Sequence, residues 1–219
     1  MWIASGSYEN NDLNTIEVGW QVYPHLHGVA IPRLFISWTR DTYQTIGCYN
    51  LCEGFVLLNR SAGIGEMIIP TSTYGGVQYT VTILVTKGLD VNWWLYVHLD
   101  NQEWITAGYW PASIFTVLSS SAAKVDWGGE MINNKFEGRH TRTQMGSGHF
   151  PHEGYTKASY FSSLKVQTDP HGVFVDANPS GIAFQTQSPY CYDIQQSSYD
   201  PSAGVLFCFG GPGHNPQCP

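Results

Sequence analysis

Apolar and polar residues alternate over short stretches of this chain, at the two-residue period of a strand with one buried face. Residues 15–22 set Ile16, Val18, Trp20 and Val22, expected to pack, against Thr15, Glu17, Gly19 and Gln21 on the other face. Residues 125–132 set Val125, Trp127, Gly129 and Met131 against Asp126, Gly128, Glu130 and Ile132. The chain opens on a strand-like segment, and further strands are predicted over 33–38, 54–58, 79–85, 92–97, 158–161, 164–167 and 205–209. Turn residues separate them, Lys87-Gly88-Leu89-Asp90 among them. One stretch breaks the period. Ile114, Val117 and Leu118 fall at helical spacing behind Pro111, which predicts one short helix over 111–123 that feeds the Glu130 strand. There is no low-complexity linker and no internal repeat. The pattern predicts a single all-β domain over 1–219, an antiparallel β-sandwich of two packed sheets.

Composition narrows the function classes. The 219 residues suffice for one domain with a sizeable core. The 23 Gly, 12 Pro, 13 Tyr, 10 Phe and 8 Trp suit short strands and many turns. Charged residues make up only 12%, with 10 Lys and Arg against 17 Asp and Glu, a net charge of −7. No basic cluster tracks a phosphate backbone, so nucleic acid is not an expected partner. Few cations are present to pair with carboxylates, and acid neutralises the net charge, which fits an acid-tolerant secreted protein. No apolar run is long enough for a membrane span. The first residues lack the basic and apolar regions of a signal peptide.

Two carboxylates stand out. Glu17 and Glu130 each project from an alternating run, each beside glycine and with a tryptophan close by. Strands distant in sequence but adjacent in a sheet would bring the two together, and a carboxylate pair on a β scaffold can activate water for hydrolysis. The plain alternative is two solvated strand glutamates.

Five cysteines cannot all pair within one chain. Cys48 and Cys52 are spaced to close a small loop, Cys191 and Cys218 bracket the C-terminal segment, and Cys208 lies in an apolar run as a buried thiol. Asn59-Arg60-Ser61 is a glycosylation sequon. His25 and His27 would share one strand face, but no third ligand stands nearby, so no metal is expected. Ser147 lacks the pattern of a nucleophile elbow. Gly210-Gly211-Pro212-Gly213 reads as a turn near the C-terminal cysteines, because a phosphate loop would need a lysine and a following helix. No cofactor is expected.

Several motifs occur together and in order. They are Ile16-Glu17-Val18-Gly19-Trp20-Gln21-Val22; Phe35 with Trp38, Thr39 and Asp41; Gly47-Cys48-Tyr49-Asn50-Leu51-Cys52-Glu53-Gly54-Phe55-Val56; Asn92-Trp93-Trp94-Leu95; Gly108-Tyr109-Trp110-Pro111; Trp127-Gly128-Gly129-Glu130; Thr143-Gln144-Met145-Gly146-Ser147-Gly148; and Gly210-Gly211-Pro212-Gly213. Over the whole chain this set resembles the neprosin domain of plants. The resemblance implies two curved, packed, jelly-roll-like sheets with a groove on one face. It implies a secreted glutamic peptidase, active in acid, that cleaves proline-containing peptides on the carboxyl side of proline. Glu17 and Glu130 take the places of the family's catalytic glutamates. Cys48–Cys52 and Cys191–Cys218 take the places of its disulfides. The resemblance further implies a mature catalytic domain, with a signal peptide and an N-terminal activation segment removed. Cys208 departs from the family, which usually has an aromatic residue there.

Candidate substrate contacts follow from what proline needs. A pyrrolidine ring packs on an aromatic face, which nominates Trp20, Trp38, Tyr49, Tyr79 and Trp127. Gln21 and Gln144 are candidate amide donors. Two rivals stand beside the peptidase. One is a glycosidase, since jelly-roll sandwiches also carry carboxylate pairs across a groove. The other is a carbohydrate-binding sandwich, or a family member without activity.

Overall fold

A computed structural model describes residues 1–44, 47–99, 103–135, 137, 139–169, 172–196 and 203–219. The chain forms two compact units. The first comprises Met1–Thr71 and Tyr79–Asp126, the second Ser72–Gln78 and Trp127–Pro219. No described helix is long and apolar enough to cross a membrane.

The first unit contains strands β1 (Trp2–Ser5), β2 (Asn14–Gln21), β3 (Arg33–Thr39), β4 (Gly47–Tyr49), β5 (Val56–Leu57), β6 (Val81–Lys87), β7 (Trp93–Leu99), β8 (Ile105–Trp110) and β9 (Lys124–Asp126). Two antiparallel sheets result, one ordered β4-β3-β2-β1-β9 and the other β5-β8-β7-β6. Their facing sides share one core. Ile3, Ile16, Val18, Leu34, Ile36 and Trp38 come from the first sheet, and Val85, Trp93, Leu95, Val97, Ala107 and Trp110 from the second. This is the expected two-layer packing of alternating strands, with one face of each sheet buried.

Alternation in β2 holds where the second sheet covers it. Ile16 and Val18 are 0% and 1% exposed. Trp20 and Val22 have the same parity but are 43% and 44% exposed, a correction to the expectation that all four pack. They lie where the strand gives way to α1 (Pro24–His27), a single turn closed by Gly28 in the left-handed conformation. That turn is the one α-helix among the described residues. The helix expected over 111–123 is instead two separate 3₁₀ turns, Ala112–Ile114 and Val117–Ser119. Between them Phe115 turns extended (φ −98°, ψ 155°) and buries its ring edge-on against Trp38, 5.7 Å between centroids. A continuous helix would forfeit that burial.

The second unit has its own small sheets. Strands β10 (Ser159–Phe161), β13 (Asp193–Gln196) and β14 (Phe207–Gly210) pair in the order β10-β14-β13, and β11 (Lys165–Val166) pairs with β12 (Val175–Asp176). Leu164, Ala177, Val205, Phe207 and Phe209 form its core, with Phe161 stacked on Phe207 at 5.2 Å. Disulfides join Cys48 to Cys52 and Cys191 to Cys218, and Cys208 is a buried free thiol. The glycine-rich run after β14 is a turn against the second bridge. Gly213, at φ +74°, donates its N–H to Cys191 O, and a Cβ there would fall 2.4 Å from Thr141 O.

Candidate functional site

Glu17 lies near the middle of β2. Residues directly paired across strands share a face. The pairings Tyr49↔Ser37, Ser37↔Glu17, Glu17↔Trp2 and Trp2↔Asp126 therefore define a row across all five strands, with Glu17 at its centre. The row occupies the face of the sheet opposite the core residues Ile16, Val18 and Ile36. On the same face Gly19 pairs with Phe35, and a Cβ at Gly19 would stand 3.4 Å from the Phe35 ring. Phe35 stacks on Tyr49 at 6.0 Å, and the Tyr49 hydroxyl donates to Gln21 Oε1 at 2.7 Å. Burial pushes the Tyr49 phenol above its ordinary pKa, so it remains a donor.

Two hydroxyls bind the Glu17 carboxylate. Thr15 Oγ1, buried two residues earlier on the same face, donates to Oε1 at 3.0 Å. The Tyr43 hydroxyl donates to that same oxygen and lies 3.0 Å from Thr15 Oγ1. Tyr43 reaches Glu17 from the turn after β3. Its N–H donates to Thr39 Oγ1 at 3.0 Å, and Thr39 is fully buried. Burial, and then the hydrogen bond to Glu17, push the Tyr43 phenol far above its usual pKa. Tyr43 is absent from the candidate residues read from sequence. Its only signal there is the Thr39-Arg40-Asp41 turn chemistry that precedes it.

Glu130 belongs to the second unit. β9 ends at Asp126, so Glu130 is exposed on irregular chain four residues past a strand, a correction to its expected place within one. The preceding glycine has a packing reason. A Cβ at Gly129 would lie 2.8 Å from both Met145 Cγ and Phe209 Cε2. The backbone leading to Glu130 thus presses on that unit's core, which only glycine allows.

The other candidates divide by exposure. Trp20 and Tyr79 are 43% and 40% exposed and present ring surface. Tyr49 and Gln21 are half-buried partners of each other. Trp127 packs partly against the second core, and Gln144 is exposed. Trp38 is 5% exposed within the core, with a Cβ at Gly54 falling 2.4 Å from its ring, so it offers no face to a substrate. His25 and His27 sit in α1, not on a strand, where residues two apart point to different sides. Atoms of His140, Cys191 and Cys218 lie within 4.8 Å of one another, but both sulfurs are committed to the disulfide and supply no thiolate. Asn59 is exposed, its side chain accepting from Ser61 N at 2.9 Å.

Fold and site together define a disulfide-bonded, all-β protein with a hydroxyl-bound glutamate on the outer face of its five-stranded sheet. The family model for Neprosin matches residues 1–212 of the 219, and the chain belongs to the neprosin family. Membership is consistent with a peptidase.

Proposed function

We propose that this chain is a secreted glutamic endopeptidase that cleaves on the carboxyl side of proline in acid, with Glu17 and Glu130 as its catalytic pair. The observation that carries the reading is the family match across 1–212, and the runs that hold Glu17 and Glu130 resemble the family's motifs. The two disulfides support an oxidising, extracytoplasmic destination. A precursor with an N-terminal activation segment, and one catalytic domain in the mature protein, belong to the same proposal.

Two carboxyl groups acting on one bond divide the work when one is ionised and the other protonated. The ionised member takes a proton from water as that water attacks the scissile carbonyl, and the protonated member donates to the carbonyl oxygen. The rate is then bell-shaped in pH, because activity needs one carboxyl of each kind. Trp20 and Tyr79 offer aromatic faces for proline, with Tyr49, Gln21, Trp127 and Gln144 as further contacts.

The test is cleavage of a proline-containing reporter peptide between pH 2 and 8 by wild type, Glu17→Gln and Glu130→Gln. Acid-limited cleavage after proline, abolished by either substitution, is the expected result. Cleavage that survives both substitutions sinks the reading.

One observation favours a second reading. Asp126 shares Glu17's row, two strands away, at a Cα separation of roughly 10 Å from ordinary strand spacing. Carboxyls held a water's width apart serve inverting glycosidases. Asp126 is already paired to Lys124 at 2.8 Å, which weighs against it. Polysaccharide hydrolysis lost in Asp126→Asn, with the reporter peptide left intact, would establish this alternative.

A further inference from the structure

Two Asn-X-Ser triplets of the chain share one shape. Asn59-Arg60-Ser61 and Asn178-Pro179-Ser180 each lead into a short 3₁₀ turn, Arg60–Ala62 and Pro179–Gly181. In each, the asparagine backbone is extended, and its side-chain oxygen accepts from the serine N–H two residues on, at 2.9 Å for Asn59 and 3.0 Å for Asn178. The asparagine carbonyls close the turns, accepting from Ala62 N at 3.2 Å and from Gly181 N at 2.9 Å. Both triplets are exposed throughout. A bond that spans two residues forms from the local chain alone, so this geometry is available before the tertiary fold. The middle residue is what separates the two. Among the described residues Asn59 Nδ2 has no hydrogen-bond partner, while the Asn59 backbone N–H donates to Ala107 O of β8 at 3.2 Å.

We infer that Asn59 carries an N-linked glycan, and that the glycan shields the apolar flank of β5. This rests on the secretory destination proposed above and on no part of the catalytic pair. The acceptor pattern is Asn-X-Ser or Asn-X-Thr with X other than proline, which admits Arg60 and bars Pro179. In the transfer, Asn59 Nδ2 bonds the anomeric carbon of an oligosaccharide held on a polyprenyl diphosphate. The bond from that carbon to the diphosphate oxygen breaks, the diphosphate leaves with the bonding pair, and Nδ2 gives up one proton. The folded chain accommodates the product. Nδ2 breaks no bond to take the sugar, Oδ1 keeps its bond to Ser61 N, and the tie to Ala107 O anchors the root of the glycan to β8. β5 is the outer strand of its four-stranded sheet, and Val56 and Leu58 are 36% and 56% exposed. Asn59 follows Leu58 directly. An apolar edge invites pairing with another chain, and neither β5 nor Leu58 offers the charge that guards many edges. A bulky, solubilising sugar beside them blocks that approach.

The experiment directs the chain into the secretory pathway of a eukaryotic cell behind a cleavable signal, then treats protein from both medium and lysate with peptide-N-glycosidase. Wild type should run faster on a gel after treatment, and peptide mapping should find aspartate in place of asparagine at position 59, the mark this amidase leaves. Asn59→Gln and Ser61→Ala should lose the shift, and Ser61→Thr should keep it. Pro179→Arg, which makes the second triplet an acceptor of the same shape, should shift further than wild type. A wild type that does not shift overturns the inference, most directly if Pro179→Arg does shift. A shift that survives in Asn59→Gln overturns it as well. If a variant fails to fold, mapping of the wild type still decides. The shield is read by light scattering at matched concentration. Asn59→Gln should aggregate faster than glycosylated wild type, and adding Leu58→Lys should restore the slower rate. Equal aggregation of wild type and Asn59→Gln strikes the shielding role. A bare wild type that cleaves the reporter peptide sinks the glycan and leaves the peptidase reading. A glycosylated wild type that cleaves nothing does the reverse.

Discussion

Asn14, wholly buried at the start of β2, exchanges hydrogen bonds with Thr116, 102 residues later in the chain. Its Nδ2 donates to Thr116 Oγ1 at 2.9 Å, to Arg40 O at 2.9 Å and to Asp12 O at 3.0 Å. Its Oδ1 accepts from Thr116 N at 2.8 Å and Leu118 N at 3.3 Å. One amide thus serves the turn before β2, the end of β3 and the paired 3₁₀ turns. A buried polar network pays for itself only when every member is satisfied, and this one is.

Asn14→Ala strands several of those buried groups at once. Each unsatisfied group costs about 1–3 kcal/mol, so a total loss of about 3–5 kcal/mol is expected in urea unfolding. A loss below about 1 kcal/mol would show that water replaces the amide. Because Asn14 begins the strand that carries Thr15 and Glu17, residual activity should fall with stability and recover on cooling.

Gly54 is required for a different reason. Its φ is +108°, outside the comfortable range of other residues, and a Cβ would meet Trp38 Cζ2 at 2.4 Å with the rigid ring already packed on Phe115. Backbone strain and overpacking together predict about 2–4 kcal/mol of destabilisation for Gly54→Ala. Near-UV circular dichroism of the tryptophans should change with it. An unaltered spectrum and unfolding midpoint would contradict the packing described.

The Cys191–Cys218 bridge closes a loop with a sequence separation of 27, worth about 3–4 kcal/mol by loop entropy. Cys48–Cys52, with a separation of 4, is worth about 2 kcal/mol on the same scale. Replacing Cys191 and Cys218 by serine should therefore lower the melting temperature more than replacing Cys48 and Cys52. The reverse order would mean that the short bridge does more than restrain the unfolded chain.

Acid should loosen one contact of the second unit. Tyr74 donates to Glu153 Oε2 at 2.9 Å, and His149 Nδ1 lies 3.0 Å from Glu153 Oε1. Burial raises the Glu153 pKa, but Tyr74 and His149 outweigh it, and the net value is held below the ordinary carboxylate range. A carboxyl depressed on folding contributes stability above its unfolded value, near 4.3, and loses it as pH falls through the lower folded value. Wild type should melt above Glu153→Gln at pH 6, with the gap closing toward pH 2–3. A gap that does not change with pH would place the effect of Glu153 in packing.

Much of the architecture is legible in the residues. Period-two alternation marks β2, β3, β6 and β7 to within a residue or two, because burying one face of a sheet demands it. It fails at Trp20 and Val22, since parity says which way a side chain points but not whether the opposite layer extends far enough to cover it. The spacing of Ile114, Val117 and Leu118 is helical, yet burial of Phe115 beside Trp38 splits the segment into two turns. Short strands such as β4, β8 and β13 escape because their neighbours, more than their own residues, define them.

For the candidate site the division is similar. That Glu17 stands on the face opposite Ile16 and Val18, beside Thr15 and Gly19, follows from counting along β2, a local property of an extended chain. That two cysteine pairs bridge and Cys208 does not was readable from motif and family likeness. No count could supply Tyr43. Its phenol reaches Glu17 only because Thr39 ends β3 beside Thr15 and two left-handed residues then turn the chain back over the sheet. Local sequence determines the direction of each side chain through backbone sterics. Which distant groups meet is decided by strand register and loop closure, and these belong to the whole fold.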